Sequence, residues 1–138
     1  MVSRRWLIAR ALSVLGLGLV LSCRSKRTQG RERVLRMALA QLKPGINTFP
    51  LERLLLIREG NSIGCVSLTC THQVCALKIN PNGGFACPCH GSEFNAQGQV
   101  LNGPATKALP WYKLSLEADG FISVDLKTQV DPLWRLQV

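Results

Sequence analysis

The feature that most constrains this chain is a pair of short cysteine and histidine clusters in its second half. Of the six cysteines and two histidines in the chain, the clusters contain four cysteines and both histidines. They read Cys70-Thr-His-Gln-Val-Cys75 and Cys87-Pro-Cys-His-Gly-Ser92. Thiolates and imidazoles are ligands of both zinc and iron–sulfur centres. The two clusters therefore predict a metal centre built from two loops.

Two kinds of centre fit such a donor set. A [2Fe–2S] centre needs two protein ligands for each iron, and neutral imidazoles raise its reduction potential relative to thiolates. Cys-x-His in the first cluster and Cys-x-x-His in the second supply four ligands of this kind. A tetrahedral zinc site with two cysteines and two histidines is the alternative. The ligand spacing alone leaves both open.

The charge of the chain is concentrated at its N-terminus. The formal net charge is +9, and nine of the 17 Lys and Arg residues but only one of the eight acidic residues lie in residues 1–36. The remaining residues are nearly neutral, and with 138 residues in all they have room for one domain of about 100 residues. A nucleic-acid-binding surface is therefore not expected on the folded part.

The N-terminal residues 1–23 are expected to form an export signal. Ser3-Arg-Arg-Trp-Leu-Ile8 resembles the twin-arginine motif, and the apolar run Ala11–Ser22 is shorter than the roughly 20 residues that span a bilayer. Val20-Leu-Ser-Cys23 resembles a lipobox, in which Cys23 would be lipidated after cleavage. Residues 24–36 are basic and without periodicity, which predicts a flexible tether. We expect the folded head on the outer face of a bacterial cytoplasmic membrane, held by its N-terminus.

The body of the chain reads as short strands separated by turns. Arg53–Arg58 is followed by the turn Glu59-Gly-Asn61 and then by a second apolar run, Ile63–Thr69. Near the C-terminus, Trp111–Glu117 alternates in polarity and leads through a turn into Phe121–Leu126. No stretch of this region sustains a helical period. The predicted fold class is all-β.

The clusters and their flanks together resemble the Rieske [2Fe–2S] family, and in particular the disulfide-containing iron–sulfur subunits of cytochrome bc and b6f complexes. Beyond the two clusters, the resemblance includes Cys65-Val-Ser-Leu-Thr69 before the first and Phe94–Ala105 after the second, covering residues 37–126 in all. It implies a Rieske fold over residues 37–138, with an antiparallel β-sandwich base and a small cluster-binding subdomain. The cluster-binding loops would occupy residues 69–105, with Gly103-Pro-Ala105 covering the cluster from a third side.

The resemblance also implies a role for each residue of the site. Cys70 and Cys87 would bind one iron of a single [2Fe–2S] cluster, and His72 and His90 would bind the other. Ser92 would donate a hydrogen bond to a bridging sulfide. Cys75 and Cys89, one in each loop, would form a disulfide, which suits the oxidising compartment that the export signal indicates.

Single-electron transfer is the function that the resemblance implies. Subunits of this kind accept an electron from quinol beside a cytochrome b-like subunit and pass it to a c-type cytochrome or a similar acceptor. There the outer nitrogens of the histidines are exposed and one accepts the hydrogen bond of the quinol, so His72 and His90 would take these roles. Reduction raises histidine basicity and couples electron uptake to proton uptake. The chain would be a redox subunit of a larger oxidoreductase.

Two positions depart from the family pattern. A tyrosine that is common in the family is replaced by Phe94, so one hydrogen bond to a ligand sulfur is missing and we predict a lower midpoint potential. Gln73 stands where a leucine near the quinol-docking surface is common. Cys65, on the strand before the first cluster, is expected to be a buried and inert thiol.

Other functions remain open at this stage. A small subunit of a molybdenum oxidase of the arsenite-oxidase kind also combines twin-arginine export with a Rieske disulfide. A soluble ferredoxin of an aromatic-ring dioxygenase lacks both features, so Cys75, Cys89 and Arg4-Arg5 count against it.

Overall fold

The computed structural model describes residues 35–138, and nearly all of its regular structure is β-strand. The predicted export signal and residues 24–34 of the predicted tether lie outside the described residues. The described part contains eleven strands and one short 3-10 turn at Leu39–Gln41. The strands are β1 Leu35–Ala38, β2 Gly45–Phe49, β3 Leu54–Glu59, β4 Ser62–Ser67, β5 Lys78–Ile79, β6 Phe85–Ala86, β7 Glu93–Phe94, β8 Val100–Asn102, β9 Trp111–Leu116, β10 Phe121–Val130 and β11 Leu136–Gln137. The all-β prediction is confirmed.

Seven of these strands form the antiparallel base. Their order is β1-β10-β9-β4-β3-β2, and β11 pairs with β4 as a branch of the same sheet. The sheet curls around a core to which strands from across its width contribute side chains. That core consists of Met37, Leu42, Leu54, Leu56, Ile63, Cys65, Leu114, Ile122 and Val124. The base is thus one continuous curled sheet that supplies both walls of its own core.

The remaining strands form a small second sheet in the order β5-β6-β7-β8. Each of them has only two or three residues, and strands this short need other packing to be stable. A second apolar core supplies that packing, and Cys70 and Cys87 belong to it. The second cysteine and histidine cluster lies between β6 and β7 of this sheet, and the first lies in the segment that leads from β4 of the base into β5. The small sheet corresponds to the predicted cluster-binding subdomain.

Strands β3 and β4 are buried on both faces because each contributes side chains to both apolar cores. Alternate residues point to opposite faces of a strand, so Leu54 and Leu56 enter the base core whereas Leu55 enters the core shared with the small sheet. In β4, Cys65 and Val66 divide between the two cores in the same way. Burial on two faces explains why β3 is a continuous apolar run in the sequence.

The predicted hairpins are present, with small differences in extent. β3 and β4 meet at Gly60 and Asn61, and β9 and β10 are joined at Glu117–Gly120, although β10 continues to Val130. β1 begins at Leu35, two residues before the predicted start of the domain, because Leu35 and Arg36 pair with β10. Within residues 35–138, no helix is long and apolar enough to cross a membrane.

Candidate metal centre

Loop 1, residues 69–76, is a narrow hairpin that carries the first cluster. Its stem is closed by the Leu77 N–H, which donates to the Leu68 carbonyl at 2.9 Å, and by a bridge between Thr69 and Ala76. Farther out, the Cys70 N–H donates to the Cys75 carbonyl at 2.8 Å. These bonds place Cys70 at the base of the loop.

Loop 2, residues 87–92, joins β6 to β7 and repeats this geometry. The Cys87 N–H donates to the Ser92 carbonyl at 2.8 Å, so each loop is closed by a bond from its first cysteine to the residue five positions later. Gly91 has a φ of +71°, a conformation that glycine adopts without a steric penalty, and its N–H returns to the Cys87 carbonyl at 3.1 Å. The two loops therefore present their first cysteines at equivalent positions.

Loop 3, residues 103–108, packs against both of the other loops. The Ala105 N–H donates to the Ser92 Oγ at 3.1 Å, and the Thr71 Oγ1 donates to the Lys107 carbonyl at 2.6 Å. A Cβ atom on Gly103 would lie 2.5 Å from the Ser92 Cα, so only glycine allows this approach. The segment predicted to cover the site from a third side does lie against loop 2.

The four residues predicted as ligands form two close pairs, one of buried cysteines and one of exposed histidines. Cys70 and Cys87 are each 3% exposed, neither is in a disulfide, and their sulfurs are within hydrogen-bonding reach of each other. His72 and His90 are exposed, and their ring centroids are 5.0 Å apart with the ring planes perpendicular. The structure thus pairs two buried sulfurs and pairs two exposed imidazoles, and these are the donor types that can hold an iron–sulfur cluster.

The surroundings of Cys70 favour its thiolate. Burial acts to raise the pKa of this thiol, but hydrogen bonds from the backbone N–H groups of His72 and Gln73, from Cys87 and from Ser92 outweigh burial and lower the pKa. Ser92 is fully buried, and its hydroxyl contacts the Cys70 sulfur and accepts a hydrogen bond from the Ala105 N–H of loop 3. Because the thiolate is the form that binds metal, the local hydrogen bonds suit Cys70 to be a ligand.

The expected disulfide is confirmed. Cys75 and Cys89 are bonded to each other with their Cα atoms 6.6 Å apart, which joins loop 1 to loop 2. The Cys87 sulfur lies within 4.8 Å of both disulfide sulfurs. Cys75 and Cys89 cannot act as thiolates while they are bonded to each other, so these three sulfurs do not form a metal-binding set of their own.

The remaining cysteine is separate from the site. Cys65 is buried in the base core, and burial raises its pKa to about 12. A thiol with this pKa is protonated at neutral pH and is a poor nucleophile. The expectation that this thiol is buried is confirmed.

Contacts that tie loop 1 to the rest of the fold were not foreseen from the sequence. The Arg53 Nη1 donates to the Val74 carbonyl at 2.5 Å, and Thr71 reaches loop 3 as described above. An arginine beside an apolar run is typical of a solvated strand end. A threonine between two cluster residues carries no sequence pattern that predicts a contact with another loop. No local pattern in the sequence identifies either contact.

Comparison with known proteins gives a consistent family. Residues 32–113 match the family described as Rieske [2Fe–2S] domain. The cytochrome b6-f complex iron-sulfur subunit of Chlorobaculum thiosulfatiphilum is 30% identical over 81 residues, which cover 58% of this chain and 45% of that protein. The subunit of the same name from Synechococcus sp. (strain WH7803) is 35% identical over 88 residues, with 58% and 49% covered. The chain spans less than half the length of these curated relatives.

Solved structures add two similar proteins. The cyanobacterial plasma membrane Rieske protein PetC3 from Synechocystis PCC 6803 has 40% sequence identity and a TM-score of 0.43, with 58% of this chain and 83% of that chain covered. The ferredoxin of carbazole 1,9a-dioxygenase from Nocardioides aromaticivorans IC177 has 22% identity and a TM-score of 0.43, with 66% and 95% covered.

Proposed function

The chain belongs to the Rieske [2Fe–2S] domain family, and from this premise we propose that its cluster is held by Cys70, His72, Cys87 and His90. The observation that supports the assignment is the pairing of donors, with the two free buried thiols in contact with each other and the rings of the two exposed histidines 5.0 Å apart. We assign Cys70 and Cys87 to one iron and the two histidines to the other. The function of a chain with one such cluster is single-electron transfer.

Each part of the site has a separate task in this proposal. A bound cluster supplies a one-electron couple. The hydrogen bonds to the Cys70 sulfur stabilise negative charge in the buried layer, and the disulfide keeps loops 1 and 2 together. His72 and His90 lie at the surface, where an imidazole can accept a hydrogen bond from a partner or exchange a proton with solvent.

We further propose that the electron donor is a quinol bound beside a cytochrome b-like subunit, and that a c-type cytochrome or similar carrier is the acceptor. Two observations support this proposal. The curated relatives carry the name of cytochrome b6-f subunits, which favours quinol over the molybdenum-oxidase alternative. At the tip of loop 1, beside His72, the Val74 side chain is 76% exposed and offers an apolar contact surface.

The location proposed for the chain is the outer face of a bacterial cytoplasmic membrane. The Cys75–Cys89 disulfide supports an oxidising compartment, because such bonds are rare in the reducing cytosol. Residues 1–23 would act as a twin-arginine signal, with Cys23 as a lipidation site, and the basic segment that follows would be attracted to anionic headgroups.

Electron paramagnetic resonance of membranes that contain the full chain tests the quinol proposal. After reduction by ascorbate, we expect a Rieske-type signal whose shape or position changes when a quinone-site inhibitor is added. A signal that the inhibitor leaves unchanged would overturn quinol docking and leave electron transfer intact.

A substitution in loop 1 sharpens this experiment. Gln73→Leu places an apolar side chain at the exposed tip, so we expect a larger response to the inhibitor. Gln129→Leu on β10 adds the same apolar side chain at an exposed position of the base and is the matched control. An equal response from both variants would contradict docking through loop 1.

A further inference from the structure

The backbone of Arg53 has an unusual conformation. Its φ is +54°, and within residues 35–138 it is the one non-glycine residue with a positive φ. A residue with a Cβ atom is disfavoured in this left-handed region, and such residues persist where surrounding contacts hold them. Arg53 lies just before β3, in the turn that follows β2.

Apart from its own N–H, which donates to the Pro50 carbonyl at 3.3 Å within the turn, Arg53 makes its hydrogen bonds with the stem and the tip of loop 1. Its carbonyl accepts the Leu68 N–H at 2.7 Å, and Leu68 is one side of the stem of that loop. Its guanidinium donates to the Val74 carbonyl at the tip of the loop, 21 residues away in sequence. One residue of the base therefore contacts loop 1 at both its stem and its tip.

The tip of loop 1 has little packing of its own. His72, Gln73 and Val74 are all exposed, so their side chains add little burial to hold the loop. Beside the stem of the loop, a cavity of about 480 Å³ lies between the β2–β3 turn and residues 76–79, and Arg53 lines it. The tip residues do not line this cavity, so other contacts must hold the tip in position.

We propose that Arg53 is a positioning residue for the cluster site, holding loop 1 so that His72 stays opposite His90. This inference rests on the proposed function, because His72 must be a ligand for its position to affect electron transfer. The left-handed backbone directs the Arg53 carbonyl to the stem while its side chain reaches the tip. Within the described residues Arg53 forms no ion pair with a carboxylate, so the Val74 carbonyl is its charge-assisted partner.

Amide hydrogen exchange on the full chain tests the first half of the proposal, that Arg53 holds loop 1 in place. Arg53→Gly removes the guanidinium but tolerates the positive φ, so it separates the loss of the contact from backbone strain. We expect the amides of Cys70, Cys75 and Leu77 to exchange about tenfold faster, as the loss of one hydrogen bond from a charged group implies. Amides of β9 and β10 should be unchanged. Arg53→Lys, which keeps the charge, should restore part of the protection.

Arg58→Gln is the matched control. Arg58 lies at the other end of the same strand, and its guanidinium also donates to a backbone carbonyl, that of Leu42 at 2.8 Å. The Leu42 carbonyl belongs to the base, so this variant should leave exchange in loop 1 unchanged. Equal acceleration in the Arg53 and Arg58 variants would overturn the proposal, because it would indicate general loosening of the base.

The redox properties test the second half of the proposal, that Arg53 keeps His72 opposite His90. We expect Arg53→Gly to shift the midpoint potential and the resonance spectrum of the loaded protein, while Arg58→Gln leaves both at the wild-type values. A purely structural role for Arg53 would change stability and leave the potential as it is. If the wild-type chain shows no Rieske signal, the proposed function fails. If it shows one that Arg53→Gly does not alter, only the inference about Arg53 fails.

Discussion

Phe94 and Ser92 show how single side chains next to the buried thiols set the properties of the site. Both are buried in the immediate neighbourhood of Cys70 and Cys87, but only Ser92 carries a hydrogen-bond donor. Hydrogen bonds to sulfur stabilise the reduced, more negative state of an iron–sulfur cluster and so raise its potential. Ser92 therefore supplies one such hydrogen bond, and Phe94 supplies none.

We predict that Phe94→Tyr raises the midpoint potential. The added hydroxyl would supply the sulfur hydrogen bond that Phe94 cannot make. For a one-electron couple, a preference of about 1.4 kcal/mol for the reduced state corresponds to about 59 mV. A redox titration followed by electron paramagnetic resonance measures the change. Phe85→Tyr is the matched control, because Phe85 pairs with Phe94 across β6 and β7 and is equally buried. An unchanged or lower potential in Phe94→Tyr would contradict the prediction.

Ser92→Ala should lower both the potential and the stability. The variant loses the hydroxyl contact with Cys70 and leaves the buried Ala105 N–H without an acceptor, at a cost of about 1–3 kcal/mol in the free energy of unfolding. Urea unfolding and redox titration measure the two effects. Ser67→Ala removes a comparable bond from the Thr69 N–H and should lower only the stability. A wild-type potential in Ser92→Ala would show that the hydroxyl does not act on the cluster.

At the scale of the elements, the site is an assembly of three loops that are joined by a disulfide and by hydrogen bonds. Loops 1 and 2 are each closed by a bond across five residues, and loop 3 contacts both of them through Thr71 and Ser92. Loop 3 comes close enough to loop 2 only because Gly103 has no side chain. The packing of loop 3 against the site therefore depends on the close backbone contact between Gly103 and Ser92.

Gly103→Ala should open this contact. The residue has a φ of +93°, and the new Cβ would lie 2.5 Å from the Ser92 Cα, so loop 3 must move. We expect faster release of iron and a loss of several kcal/mol in the free energy of unfolding, since backbone strain alone costs about 1–3 kcal/mol.

Gly120→Ala separates strain from steric conflict in this experiment. Gly120 also has a positive φ, of +79°, but a Cβ there would meet no atom within 4 Å. This variant should lower stability modestly and leave iron release at the wild-type rate. If both variants release iron equally fast, contact between loops 2 and 3 does not retain the cluster.

For the molecule as a whole, the disulfide contributes to the stability of a small domain whose second sheet has very short strands. Cys75 and Cys89 are 14 residues apart in sequence, and closing a loop of about 15 residues stabilises a fold by roughly 3 kcal/mol in the chain-entropy model. The bond also holds loops 1 and 2 together from outside the ligand set.

We predict that Cys75→Ser with Cys89→Ser lowers the free energy of unfolding by about 2–4 kcal/mol and speeds the loss of iron. Thermal unfolding and iron release measure these effects. Adding a thiol reductant should reproduce them in the wild-type chain and have no further effect on the double variant. Cys65→Ala, which alters a cysteine in the base core, should keep the response to the reductant. A double variant that retains iron like the wild type would contradict this role.

Much of the fold and of the site was predictable because it depends on local residue types. Strand and turn signals predicted the all-β fold and the hairpins at Gly60 and Gly120. The apolar run in β3 predicted a strand but did not indicate that the strand would face two different cores. That distinction depends on which sheets pack against the two faces, and no single strand carries this information.

The sequence by itself determined the chemistry of this protein: which thiols and imidazoles are present, how they are spaced and which turns allow two loops to form. Only the tertiary structure decided that Cys70 and Cys87 are buried whereas His72 and His90 are exposed, and that Arg53 reaches Val74. The physical reason is that donor identity is a property of each residue. Burial and long-range hydrogen bonds, in contrast, arise only when distant segments pack together.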